Sequence, residues 1–412
     1  MKWGGNMFLT DEEQKMCNGE YGPGLKKAMN LLIQFGEAFD AKRMLQVKSC
    51  HILNSDPFDW VLEVTQGVKE VRAFTTTHPL LPPLQWKAMG IPENIIKEEL
   101  NLSRKRYELY KNLGINLTST CVACFIGDFL KKGDVFCWSG TEGSNFANSV
   151  FGALGNREGG PVSFLSAITG RTPEILLHKK ENRYGQFLVE MEKLDWNNFN
   201  KAKYGALGFY IGKITKDKNV VINGMPDCGL DEMKHLLSAL PASGTTAICH
   251  IVGVTPEALS LEDALGHRSP ENKITVGEKE ITQASDELTT ANSNNVDIIA
   301  LGCPHSSIKE FREVALLLEG KKISGNVSLW IAASDQTTTL ARRMGYADII
   351  EKAGGVITDT CLPGAAGLLK DKVVATNAAR VAYFTAFAHG NGVLYGSMED
   401  CLDAAITGRW RI

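Results

Sequence analysis

The sequence predicts an α/β fold, a mostly parallel sheet with helices on both faces. Three observations predict it. From Val296 to the end, short apolar runs alternate with amphipathic segments, the pattern of parallel strands joined by helical crossovers. Asn219–Val254 reads strand, helix, strand, which is one βαβ unit. Glycine makes up 40 of 412 residues, which suits many tight strand-to-helix turns. A chain of this length has room for two or three domains, and no internal repeat is evident.

Taken in order, Thr10 and Glu13 have capping-box spacing before a first short helix. Tyr21-Gly22-Pro23-Gly24 breaks that helix. Leu31, Leu32, Phe35 and Phe39 then carry a second one over Leu25–Phe39. Short strands are expected at Gln46–Ser49 and Val71–Thr77, each followed by polar groups: Cys50 to Pro57 after the first, His78-Pro79 after the second. Glu93–Leu113 is a charged amphipathic helix closed by Gly114. Strands at Ile115–Thr118 and Asp134–Trp138 come next. Ser139–Pro161 is the segment densest in glycine and small polar residues and reads as a recognition segment, with a capped surface loop as the alternative. Its hydroxyls, amides and Arg157 suit a carboxylate or phosphate. The stretch from Tyr204 to Gly208 reads as turn-like, and Asp263–Thr290 as an irregular or partly helical excursion. The last third is expected as strands at 296–301, 326–333, 355–358, 372–375 and 392–395, with helices at 306–319, 335–353 and 398–406.

Composition excludes several classes. Net charge is −3 and pI about 6.3, without the clustered basic charge of a nucleic-acid-binding protein. No run approaches the roughly 18 apolar residues of a membrane span. The segment MKWGGNMFLTDEEQK lacks the apolar core of a secretory leader. A cytoplasmic, reducing compartment is therefore expected, where thiols stay free. Neither Gly-x-Gly-x-x-Gly nor a P-loop is present, so the usual nucleotide signatures are missing.

Three of the ten cysteines carry the functional expectation. Cys121, Cys303 and Cys361 each follow a predicted strand. In open α/β sheets ligands bind beyond the carboxyl ends of strands. If the three strands are parallel, the three thiols reach one edge. Three thiolates can hold an iron–sulfur cluster and leave one iron without a protein ligand. Such an iron can act as a Lewis acid on a hydroxyl and a carboxylate. Ordinary buried thiols are the alternative. Cys121-Val122-Ala123-Cys124 has the spacing of a zinc or thioredoxin motif, but no second Cys-x-x-Cys completes a zinc site. If Pro304 opens the next helix, Cys303 lies at its positive end and its thiol pKa falls. Ser307, spaced for a capping box with Glu310, is the competing start.

The segments STCVACF, FANSVFGALGNREGGP, DIIALGCPHSS, VITDTC and TNAARVAYF resemble the aconitase X family in its separate large-subunit form. The resemblance runs from about Met7 to Ile412, and the second and third segments are specific to the family. It implies an aconitase-like architecture: three-layer α/β/α subdomains with mostly parallel sheets around a central cluster cleft. One catalytic region would cover residues 1–412, divided approximately as 1–204, 205–345 and 346–412. It also implies a dehydratase, of the mevalonate 5-phosphate or cis-3-hydroxy-L-proline type, acting with a small swivelling subunit. Cys121, Cys303 and Cys361 match the ligands of an iron–sulfur cluster, 4Fe-4S or alternatively 2Fe-2S. Asn54, Ser55, Asp56, His78, Pro79, Ser139, Ser144, Asn148, Arg157, Asn377 and Arg380 fall in segments matching the substrate pocket. Arg380 or Arg157 would pair with an anionic group of a small hydroxy acid. His305 is a further catalytic or supporting candidate. The proton-removing base is expected on the small subunit, since no segment here matches it.

The chain departs from the family pattern at two places, one of them His78, which stands where archaeal members tend to carry an amide. Ala123-Cys124 stands where many relatives carry Pro-Tyr, which removes a hydroxyl-bearing ring beside the expected cluster. Two rival readings remain at this stage. One is a non-enzymatic iron–sulfur redox or iron sensor. The other is a zinc hydrolase, which lacks His-Glu-x-x-His spacing.

Overall fold

The computed structural model describes residues 7–411. The chain start, read above for a leader, lies partly outside them. Three sheets organise the chain, and every pairing within them is parallel. The first has the order Phe74–Thr77, Ser49–Ile52, Phe136–Trp138. The second runs Cys249–Ile251, Val220–Asn223, Phe187–Met191, Asn272–Val276. The third runs Val356–Thr358, Ser328–Ala332, Ile298–Leu301, Val373–Thr376, Gly392–Tyr395. A small antiparallel pair, Met44–Gln46 with Arg171–Pro173, flanks the first sheet.

The third sheet shows why alternation in the sequence was informative. Side chains of a strand point to opposite faces in turn. Ile299 and Leu301 enter one apolar cluster with Phe311, Val314, Ile350 and Leu402. Ile298 and Ala300 enter another, with Met89, Ile96, Leu362 and Val381. Both faces are thus covered, and each fully buried Ile or Leu contributes about 1.5–3 kcal/mol. Because one hydrogen-bonded sheet draws strands from 298 to 395, the division expected at 345/346 falls inside it.

Several elements differ from the sequence reading. Ser139–Pro161 is not a loop: it holds a helix at Thr141–Val150, and Gly160–Thr169 forms another. The first is polar yet buried, because Ser144, Asn145, Asn148 and Ser149 satisfy their side chains on main-chain or neighbouring groups. The turn-like glycines lie within the helix Lys201–Thr215. They allow close packing: a Cβ on Gly208 or Gly212 would lie 2.3 Å from the Leu236 or Leu240 carbonyl oxygen of the helix Leu230–Ser243. Asp263–Thr290 contains a strand and the helix Glu278–Leu288. Ile115–Thr118 makes only an isolated bridge, from Asn116 to Thr76. The long helix expected at 335–353 is two, Asp335–Arg343 and Tyr346–Ala353, separated at Gly345 with φ 78°.

Candidate functional site

The carboxyl ends of strands from the first and third sheets point at one cavity of about 240 Å³. His78 follows Phe74–Thr77, and Gly140 to Glu142 follow Phe136–Trp138. Cys303 follows Ile298–Leu301 through Gly302, whose φ of 97° and 2.3 Å Cβ clearance to the Ala332 carbonyl oxygen admit only glycine without strain. Cys361 follows Val356–Thr358 and caps the short helix Leu362–Gly367. Cys121 arrives from an extended segment held by Thr120, whose N–H donates to the Thr77 carbonyl at 3.0 Å. Cys121, Cys303 and Cys361 all line the cavity, with His78, Pro79, Glu142, His305 and Arg380.

Burial pushes all three thiols up; Cys303 and Cys361 raise Cys121 further, and Cys361 raises Cys303. Arg380 offsets this at Cys303 and Cys361. Cys121 Sγ accepts the His305 N–H at 3.2 Å. The expected lowering of the Cys303 pKa therefore does not arise. The helix begins at Ile308 with Ser307 and Glu310 forming the capping box, so Cys303 lies outside it. Cys124 turns instead into the apolar cluster of Val122, Leu130, Phe136 and Phe146.

Opposite the thiols is a buried charge triangle. Glu142 bridges His78, Nε2 to Oε1 at 3.0 Å, and Arg380, Nη2 to Oε2 at 3.0 Å. Burial works to raise the Glu142 pKa. The Arg380 charge and the His78 hydrogen bond outweigh it and hold the carboxyl well below the usual range. Arg380 also donates from Nη1 to Thr141 Oγ1 at 2.9 Å and lies over the Phe384 ring. His78 carries its proton on Nε2, because a carboxylate can only accept. His305 likewise donates from Nε2 to the Thr360 carbonyl at 3.2 Å. Burial lowers its pKa to about 3, so the ring is neutral with Nδ1 unpartnered.

A second cavity, about 520 Å³, adjoins the first through His78, Pro79 and Cys361. Asn54 and Ser55 line it with Leu81, Ile95, Ile96 and Glu99. The buried Arg106 donates to the Asn54 and Asp56 carbonyls. Asp56 is buried beneath, its pKa pushed up to about 6 by burial against the Arg106 charge.

Other residues expected in the pocket are engaged elsewhere. Ser139 Oγ donates to the His51 carbonyl, and Ser144 Oγ to the Trp138 carbonyl. Asn148 donates to the Gly155 and Ala247 carbonyls and accepts from Arg183. These three hold the fold and do not line either cavity. Arg157 is exposed, its pKa lowered by partial desolvation and by the Arg380 charge. Asn377 is buried, with Oδ1 unpartnered. Glu142 was legible only as one acid in a polar run; its partners lie far off in sequence.

The donor set fits an iron–sulfur cluster. Three thiols and Arg380 line one cavity, and one of the thiols already takes an N–H hydrogen bond. A single metal ion is a poorer fit. Among the described residues no three His, Cys, Asp or Glu side chains close on one ion.

Fold and site together define an aconitase-like α/β protein. The chain belongs to the aconitase X family: its first-domain model matches residues 6–181, its second 185–286 and its third 296–407. The phosphomevalonate dehydratase large subunit of Methanocaldococcus jannaschii is 33% identical over 96% of this chain and 99% of its own. The cis-3-hydroxy-L-proline dehydratase of Pseudomonas aeruginosa is 28% identical over 96% of this chain and 70% of its own. The holo-form crystal structure of Thermococcus kodakaraensis aconitase X superposes with a TM-score of 0.84 and 30% identity, over 97% of this chain and 100% of that one. The relatives are named as dehydratases, and the archaeal ones as large subunits.

Proposed function

We propose that this chain is the large subunit of an iron–sulfur-dependent dehydratase acting on a small 3-hydroxy carboxylate, of the phosphomevalonate or cis-3-hydroxy-L-proline type. One observation carries the reading: Cys121, Cys303 and Cys361 line the same cavity as the His78–Glu142–Arg380 triangle. When bound, the cluster would supply a Lewis acid for the substrate hydroxyl and carboxylate. Everything else falls to the chain and its partner. Arg380, steadied by Glu142 and Thr141, pairs with the substrate anion. His78 in its imidazolium form keeps the Nε2 proton on Glu142 and has the Nδ1 proton to give to the departing hydroxyl. His305, neutral and buried, offers Nδ1 as an acceptor. A small subunit closes the cleft and brings the base that removes the carbon-bound proton. Loss of that proton and of the protonated hydroxyl leaves an alkene and water.

A sensor would have no use for the buried Glu142–Arg380 pair beside the thiols. Among the described residues no helix is long and apolar enough to cross a membrane. The test is anaerobic purification with the small subunit and reconstitution with iron and sulfide. Water loss is then followed across a panel of 3-hydroxy acids. A protein that takes up no iron, or takes it up equally well as Cys303→Ser, overturns the reading.

A further inference from the structure

Lys234 has no part in the chemistry above, yet its side chain is 0% exposed. It lies on the helix Leu230–Ser243 of the second matched region and reaches into the third. Its Nζ donates to the His305 carbonyl at 3.0 Å and pairs with Glu310 Oε2. Asp231 Oδ1 is 3.4 Å away, and Asp231 Oδ2 accepts from Ser307 Oγ at 2.8 Å. His235 Nε2 meets Glu310 Oε1 at 3.1 Å, and Phe125 of the first region lies beneath the ammonium. Three matched regions of the chain therefore meet at one buried charge.

Burying an ammonium costs several kcal/mol of desolvation, and apolar side chains of the same volume often serve stability as well. Glu310 and Asp231 offset the charge. Neither explains why a donor is aimed at a main-chain carbonyl. The target does. His305 offers its carbonyl to Lys234 and its N–H to Cys121 Sγ, so one residue is clamped from both sides. That residue ends the turn that starts at Cys303.

We infer that Lys234 is a positioning residue: it fixes the Cys303–Ser306 turn so that the His305 N–H stays on Cys121 Sγ and the two thiols keep their spacing. This rests on the reading of the cavity as a cluster site, and a hydrogen bond to sulfur is one of the features that set a cluster's potential.

The test compares wild type, Lys234→Met and Lys234→Arg as full chains by amide hydrogen exchange. Lys234→Met is expected to speed exchange at least tenfold in the peptide covering 302–308, with other segments unchanged, and Lys234→Arg to restore much of the protection. Unchanged exchange there, or acceleration spread evenly over the chain, overturns the inference. Should Lys234→Met not fold, Lys234→Gln keeps a donor without the charge. It should exchange within threefold of wild type, and exchange as fast as an unprotected peptide overturns the inference. After reconstitution, Lys234→Met should shift the oxidised-to-reduced ratio at fixed poise at least tenfold, about 59 mV for one electron. An identical potential counts against the role. Wild type that takes up no iron while Lys234→Met still loosens 302–308 sinks the cluster reading and leaves the positioning role standing.

Discussion

Replacing Glu142 by Gln is the most informative single change. In the native chain the carboxylate accepts from both His78 and Arg380 at 3.0 Å, and all three side chains are largely buried. Glutamine keeps one carbonyl oxygen but presents an amide to the other partner. Arg380 then loses its counter-charge inside the protein. Stranding one member of a buried pair costs about 3–5 kcal/mol; the retained acceptor places this case near about 3. The pH dependence follows from the depressed carboxyl pKa. A group whose pKa is lower in the folded state stabilises above its unfolded value, near 4.3, and loses that stabilisation as pH falls. The gap between wild type and Glu142→Gln should therefore be full at neutral pH and close on acidification. Urea unfolding at several pH values measures it. In the dehydratase assay, with the variant shown to be folded, loss of the group behind the proton donor should lower turnover by about a hundredfold or more. A Glu142→Gln protein with wild-type turnover and the wild-type unfolding free energy at neutral pH would refute the reasoning.

Three further outcomes are expected. Cys303→Ser should abolish the visible absorption of the reconstituted protein while leaving far-UV circular dichroism intact, because Cys303 lies outside the helix that follows it. Glu158 is buried, and burial pushes its pKa up to about 7 against the Asn156 hydrogen bond. Such a carboxyl binds a proton more tightly folded than unfolded, so stability should fall by about 3 kcal/mol as pH rises from about 4.5 to about 7, and Glu158→Gln should flatten that slope in a thermal-melt series. Asn148→Ala should cost about 1–3 kcal/mol in unfolding, by stranding the Gly155 N–H and Arg183, with KM unchanged; a selective rise in KM would return Asn148 to the substrate pocket.

The third sheet was legible because its strands are apolar on both faces and its helices amphipathic, so period alone separated them. The polar helix Thr141–Val150 was not. Its buried Ser144, Asn145 and Asn148 look like loop chemistry until their hydrogen-bond partners are known, and those partners include main-chain carbonyls about a hundred residues away. Gly205 and Gly208 misled for a related reason: both lie within a helix, Gly205 packed against Tyr395 and Ala379 and Gly208 against the helix Leu230–Ser243, and neither serves a turn. At the site, Cys303 and Cys361 could be suggested by their places after strands, whereas the strand expected before Cys121 is only an isolated bridge. The His78–Glu142–Arg380 triangle could not, since no local pattern links side chains so far apart in the chain. Lys234 was hidden altogether inside an ordinary amphipathic helix.

The cavity wall is assembled from Cys121, Cys303 and Cys361, and the last two depend on strands that continue to Tyr395. During synthesis nearly the whole chain must therefore emerge and fold before the three sulfurs face one another. Iron arriving earlier would find only solitary thiols, which would grip it weakly and in no fixed arrangement. A cluster of the proposed kind would therefore have to enter a finished scaffold, its maturation ordered by topology.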